Sequence, residues 1–171
     1  MFTPLVLAAQ KHFYDRSQEP LTAPERDPLT DEERDFIQAR DSFYMATVTA
    51  DGWPYVQHRG GPAGFLRVLD PHTLAFADYK GNRQLLSTGN LASNDRVSLF
   101  LMDYPRRERL KILGHARIED ARQNVDLVAQ FALPESQPLV ERVFFIDLVS
   151  FDWNCSQHIT PRYTAAQLEK T

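Results

Sequence analysis

Residues 54–100 read PYVQHRGGPAGFLRVLDPHTLAFADYKGNRQLLSTGNLASNDRVSLF. The stretch opens as a strand leaving a tight turn and runs into a glycine-rich basic corner, Gln57 to Gly61. A second strand follows, then a loop that is expected to open a helix at Asn82 and Arg83, and then an apolar strand. Two Arg-bearing corners joined by short strands suit an anion, and the nearby aromatics suit a planar group. The pattern points to a cofactor-binding barrel. Six or so short strands with antiparallel turns and two interrupting helices predict a mainly β fold with flanking helices, a small closed barrel. No GxGxxG is present and the strands are too crowded for a βαβ dinucleotide fold.

Outward from this stretch, Asp51 and Gly52 predict a hairpin between a strand at Phe43 to Thr49 and one starting at Pro54. On the far side, Leu110 to Ile118 reads as a strand whose Gly114 marks a bulge or a close backbone approach. Ala121 to Phe131 reads as a helix, Pro134 and Pro138 frame a loop, and Val143 to Phe151 reads as a last strand. Thr3 and Pro4 start a helix that runs to about Tyr14. The polar connection after it contains Pro20, Pro24 and Pro28. Thr30 with Glu33, and Thr164 with Gln167, are capping-box patterns for two short helices. The 171 residues are expected to form one domain, with a barrel core at 42–162 and an N-terminal helical extension at 1–41.

Composition narrows the function classes. A formal charge of -4 argues against a broad nucleic-acid footprint. One cysteine, Cys155, allows no intrachain disulfide. The opening MFTPLVLAAQ is too short for a signal peptide or membrane span, so a cytoplasmic protein is the expectation. Scattered His residues without HExxH or clustered thiols predict no metal site, and no GxSxG elbow is present. No base partner can be assigned to Cys155 as a nucleophile.

Candidate ligand-binding residues fall in four groups. At the first corner, Gln57, His58, Arg59 and Gly60 offer a guanidinium fork and freely oriented backbone N–H groups, or else a loop with a solvated Arg. At the second, Arg83 stands in the expected first helical turn, where unpaired amides would help hold a phosphate. Asn82 either faces the ligand or caps the helix, Lys80 is expected to be solvated, and Ser87 and Asn90 lie a turn or more later. Arg109 and Lys111, in the basic run YPRRERLK, share one strand face and would steer an anion, or form a soluble face. Near the end, Trp153 suits a conjugated ring, with Gln157 and His158 as ring-edge hydrogen-bonding groups, or else Trp153 is simply buried.

Taken together, FYMATVTADGWPYVQHRGG, FADYKGNRQ and NDRVSLFLMDYPRRERLKILGHARI resemble the pyridoxamine 5'-phosphate oxidase-like, FMN-binding split-barrel family over roughly Ser42 to Arg162. The tail WNCSQHITPR is similar to that of its general stress and predicted flavin-nucleotide-binding members. The resemblance implies a homodimer with two FMN sites between subunits. It places the FMN phosphate at Arg83 and Gln84, assisted by Gln57 to Gly60, and the ring along Ala77 and Asp78. Trp153, Gln157 and His158 would approach from the partner chain, with His158 the candidate for proton transfer. Gln84 stands where the family usually has Lys, a loss of charge that Arg59 or Arg109 would offset. The tail lacks the Arg-x-His and Arg-Leu-x-Pro of the true oxidases, so oxidation of pyridoxamine phosphate does not carry over. The expected function is an FMN-dependent oxidoreductase acting on a small molecule. The alternatives are a non-catalytic flavin-binding or sensing protein, or a relative using deazaflavin or haem.

Overall fold

Seven strands carry the fold: β1 (Ser42–Val48), β2 (Pro54–Gly60), β3 (Arg67–Asp70), β4 (Thr73–Tyr79), β5 (Arg96–Asp103), β6 (Glu108–Asp120) and β7 (Val140–Trp153). The helices are α1 (Pro4–Tyr14), α2 (Asp31–Gln38), α3 (Leu86–Leu91), α4 (Val125–Phe131) and α5 (Ala165–Leu168). The structure is a computed structural model, and it describes residues 3–16, 26–131, 140–153 and 156–169. Cys155, the Pro134 to Pro138 loop, and Pro20 and Pro24 of the polar connection lie outside the described residues.

The strands form one antiparallel sheet in the order β2-β1-β5-β6-β7-β4-β3. Its two edges, β2 and β3, do not pair with each other, yet the sheet curls until β2 faces β4 across a side-chain-filled gap. That gap is the split in the barrel. Alternation explains the curl. Leu74 and Phe76 of β4 join Phe144 and Ile146 of β7 in the inner core, while Ala75, Ala77, Val143 and Phe145 pack outward under α4. Both strands are thereby buried on two faces, and β4 runs buried from Leu74 to Asp78. Within the barrel Phe43 stacks on Phe65 at 5.5 Å and Phe76 on Phe144 at 4.9 Å. Each such fully buried side chain contributes about 1.5–3 kcal/mol.

Local chemistry sets several boundaries as predicted. Glu33 reaches back to accept from the Thr30 backbone N–H at 3.0 Å, which starts α2. Thr164 Oγ1 accepts from the Gln167 backbone N–H at 3.3 Å and starts α5. At Gly114 the β6–β7 register shifts, and a Cβ there would stand 2.7 Å from the Asp147 carbonyl oxygen. Bulge and close approach coincide at one residue.

Two helices are shorter than their composition predicts. α4 begins at Val125 rather than Ala121, whose backbone N–H still donates to the Glu141 carbonyl of the sheet. Asn124 Oδ1 then accepts from the Leu127 backbone N–H at 3.0 Å and starts the helix. The expected helix from Arg83 begins only at Leu86. Gly81 at φ 135° and Leu85 at φ 55° turn the chain twice before it can wind.

Candidate functional site

Between β2 and β4 lies a cavity of about 190 Å³. Gln57 to Gly60 line it from β2, Phe76 to Tyr79 from β4, and Phe65 and Asn82 close it. The fold therefore gathers into one place the first corner, the Ala77 and Asp78 segment, and the start of the second corner.

The parity of β2 decides what each residue there offers. Tyr55, Gln57 and Arg59 turn inward, while Val56 and His58 turn out. His58 sets its ring edge-on to Tyr44, with centroids 5.6 Å apart. Arg59 is not the exposed guanidinium that a glycine-rich corner suggests. Its side chain is 8% exposed, and its Nη1 donates to Asp78 Oδ1 at 2.7 Å. Arg142 Nε, from the start of β7, donates to the other Asp78 oxygen at 2.9 Å. The Arg59 guanidinium also lies over Phe144 and Phe76, 4.9 and 5.4 Å from their centroids. Burial lowers Arg59 from the ordinary guanidinium value, and Asp78 opposes that shift. Burial likewise raises the Tyr79 phenol at the cavity wall.

Asn82 does not cap a helix, since the cap position belongs to Leu85. Its Nδ2 is buried against the cavity without a partner among the described residues. Arg83 and Gln84 follow on the exposed turn, outside any helical turn, and the Arg83 backbone N–H bonds to the Gly81 carbonyl. Ser87 and Asn90 are buried and bonded within the protein. Ser87 Oγ donates to Gln57 Oε1 at 2.7 Å, and Asn90 Nδ2 donates to Thr47 Oγ1 at 2.9 Å. Both bonds fasten α3 to the β1–β2 hairpin, and the first holds Gln57 in place.

The remaining candidates lie elsewhere in the chain. Arg109 stands 5.2 Å from the Phe100 ring, and Lys111 pairs with Asp152 at 2.5 Å. Trp153 donates from Nε1 to Glu33 Oε1 at 2.7 Å and sets its ring edge against Phe36. With Arg106 and Arg107 it borders a separate hollow of about 670 Å³. Val143 pairs with Ala77 of the cavity wall, and Trp153 follows ten residues later on the same strand. At ~3.3 Å per residue, about 30 Å of β7 separates them. Gln157 and His158 come after Trp153 on an exposed turn, with His158 in the left-handed region at φ 64°. Within one chain these three do not reach the β2–β4 cavity.

Sequence reasoning missed Arg142, Phe65 and Tyr79. Only the sheet topology brings Arg142 opposite Asp78 from 64 residues away. Alternation in FADY sends Tyr79 to the outer face with Ala77, so no local signal marked it as a cavity-lining residue.

A family profile described as pyridoxamine 5'-phosphate oxidase matches residues 29–146. Among solved structures, Group A Streptococcus HupZ is 18% identical with a TM-score of 0.58, covering 79% of this chain and 99% of its own. A protein from Clostridium acetobutylicum, related to general stress protein 26 of B. subtilis, is 10% identical with a TM-score of 0.56, covering 76% and 89%. General stress protein 26 from Bacillus anthracis is 16% identical with a TM-score of 0.53, covering 73% and 94%. At these identities the likeness is one of fold. No match was found among the curated proteins. Among the described residues, no helix is long and apolar enough to cross a membrane.

Proposed function

Because the chain belongs to the pyridoxamine 5'-phosphate oxidase family, we propose that it is an FMN-binding oxidoreductase of small molecules, working as a homodimer. The observation that carries this reading is the β2–β4 cavity, which joins Gln57 to Gly60 with Ala77, Asp78 and Asn82. Buried N–H groups on Arg59 and Asn82 without partners among the described residues fit an acceptor-bearing ligand there. Lys80, Arg83 and Gln84, exposed on the adjoining turn, fit the phosphate. When bound, FMN supplies a ring that takes up a hydride equivalent. The chain's own part is to seat and orient that ring against β4, to fix Gln57 through Ser87, and to hold the phosphate at Arg83.

Trp153, Gln157 and His158 complete the site from a second copy, since their own chain carries them to the far end of β7. There His158 is the group that moves a proton at the ring edge. Light scattering that finds a monomer at every concentration would remove this second-copy arrangement. The tail carries neither basic motif of the true oxidases, so pyridoxamine phosphate is not the proposed substrate.

The first test is the visible spectrum of protein purified without added cofactor, with mass analysis of what denaturation releases. Released FMN supports the proposal. A colourless protein that refuses added FMN overturns it, and a deazaflavin spectrum or a Soret band replaces FMN with another cofactor.

A further inference from the structure

The β2–β4 cavity has a chemical bias that its position alone does not explain. The buried lining side-chain atoms without a partner among the described residues are all donors: Arg59 Nε, Arg59 Nη2 and Asn82 Nδ2. The one lining carboxylate, Asp78, has both oxygens engaged, by Arg59 and by Arg142. Asp78 takes only Nη1 of Arg59. Nε and Nη2 share the other edge of the guanidinium, so a residue that lines the cavity keeps a buried side-on fork unmet. The guanidinium lies over the Phe144 and Phe76 rings. Buried donors of this kind are rarely left unmet, so the geometry calls for an acceptor.

Charge limits which acceptor. Two guanidiniums share the Asp78 carboxylate, and the three side chains are only 8%, 5% and 12% exposed. That inner triad carries one net positive charge. Glu141 pairs with Arg142 at 3.1 Å from a more open position, 27% exposed, and offsets part of it. A group with one negative charge or none balances the triad. A phosphate dianion would overshoot it and press against Asp78.

We propose that the cavity receives a planar pair of acceptors bearing at most one negative charge, gripped side-on by Arg59 Nε and Nη2 with Asn82 Nδ2 beside them, and that phosphate binds elsewhere. Two sources share this chemistry: the carboxylate of a small molecule and the acceptor edge of the flavin ring. The second source rests on the flavin reading above, and the first does not.

Arg59→Lys tests the fork, because it keeps a positive charge beside Asp78 and loses the planar donor pair. Asn82→Ala removes the third donor without touching an ion pair, and carries the comparison should Arg59→Lys fail to fold. Dissociation constants for FMN and riboflavin are measured on both variants, alongside the rise in melting temperature that benzoate gives. If the ring edge is the occupant, Arg59→Lys weakens FMN and riboflavin by the same factor, about tenfold, and Asn82→Ala weakens both by less. If a carboxylate is the occupant, both flavins bind as before and stabilisation by benzoate disappears. Either result supports the proposal. A loss confined to FMN would put the phosphate at Arg59 and overturn it, as would variants that match wild type in every measurement. A wild type that takes up neither flavin removes the flavin reading alone, and the benzoate comparison then decides this one.

Discussion

Asp78→Ala is the most informative perturbation of stability in this protein. Asp78 is 5% exposed and accepts from Arg59 at 2.7 Å and from Arg142 at 2.9 Å. Its removal leaves Arg59 buried with no carboxylate, while Arg142 keeps Glu141 at 3.1 Å. Breaking a buried ion pair from one side costs about 3–5 kcal/mol, because the surviving charge stays desolvated. For a chain of 171 residues this lowers Tm by about 2–4 °C per kcal/mol, or about 6–20 °C in all. Arg59→Met should cost less, since Asp78 then retains Arg142. The double variant Arg59→Met with Asp78→Ala should be more stable than Asp78→Ala alone, because no unpaired charge remains beside the Phe rings. Equilibrium urea unfolding of the three variants at one protein concentration measures this order. An Asp78→Ala cost below about 1 kcal/mol would mean that the triad is solvated and the reasoning wrong. A double variant no more stable than the single would refute it equally.

Gly114→Ala should destabilise by about 1–3 kcal/mol, because the added Cβ meets a backbone oxygen at 2.7 Å; unchanged urea melts would show that the bulge relaxes freely. Trp153→Phe keeps the edge contact on Phe36 and removes the Nε1 bond to Glu33. Burial acts to raise the Glu33 carboxyl, but the bonds from Thr30 and Trp153 outweigh it and hold the group below its ordinary value. Stability from a lowered carboxyl is present above the unfolded value, about 4.3, and is lost as pH falls through the folded one. Trp153→Phe should therefore lose about 1–2 kcal/mol at neutral pH and show a shallower decline in acid; urea melts across that range with parallel slopes would refute this.

Much of the fold was legible because its signals are local. Asp51 with Gly52 turns the first hairpin, Glu33 closes on Thr30, and Gly114 stands where strand register slips. The start of α3 was not legible, since a cap-like Asn82 says nothing of the two left-handed turns that Gly81 and Leu85 impose around it. The site divides in the same way. Gln57 to Gly60 and Ala77 to Asn82 were readable as candidate segments, being close in sequence and rich in Gly and Arg, and residues of both border one cavity. The direction of Arg59 was not, because the paired glycines drew the reading toward an open loop while strand parity turned the side chain inward. Ser87 and Asn90 carry polarity that suits a ligand, yet they spend it on Gln57 and Thr47.

The chain holds two tryptophans, and they sit in unlike surroundings. Trp53, at the tip of the β1–β2 hairpin, is 70% exposed, whereas Trp153 is packed on Phe36 and bonded to Glu33. Intrinsic emission is therefore the sum of a red component open to acrylamide and a shielded component that reports the clasp between α2 and β7. Release of α2 would shift the second and leave the first unchanged. The protein thus carries a built-in optical gauge of whether α2 is docked on the barrel.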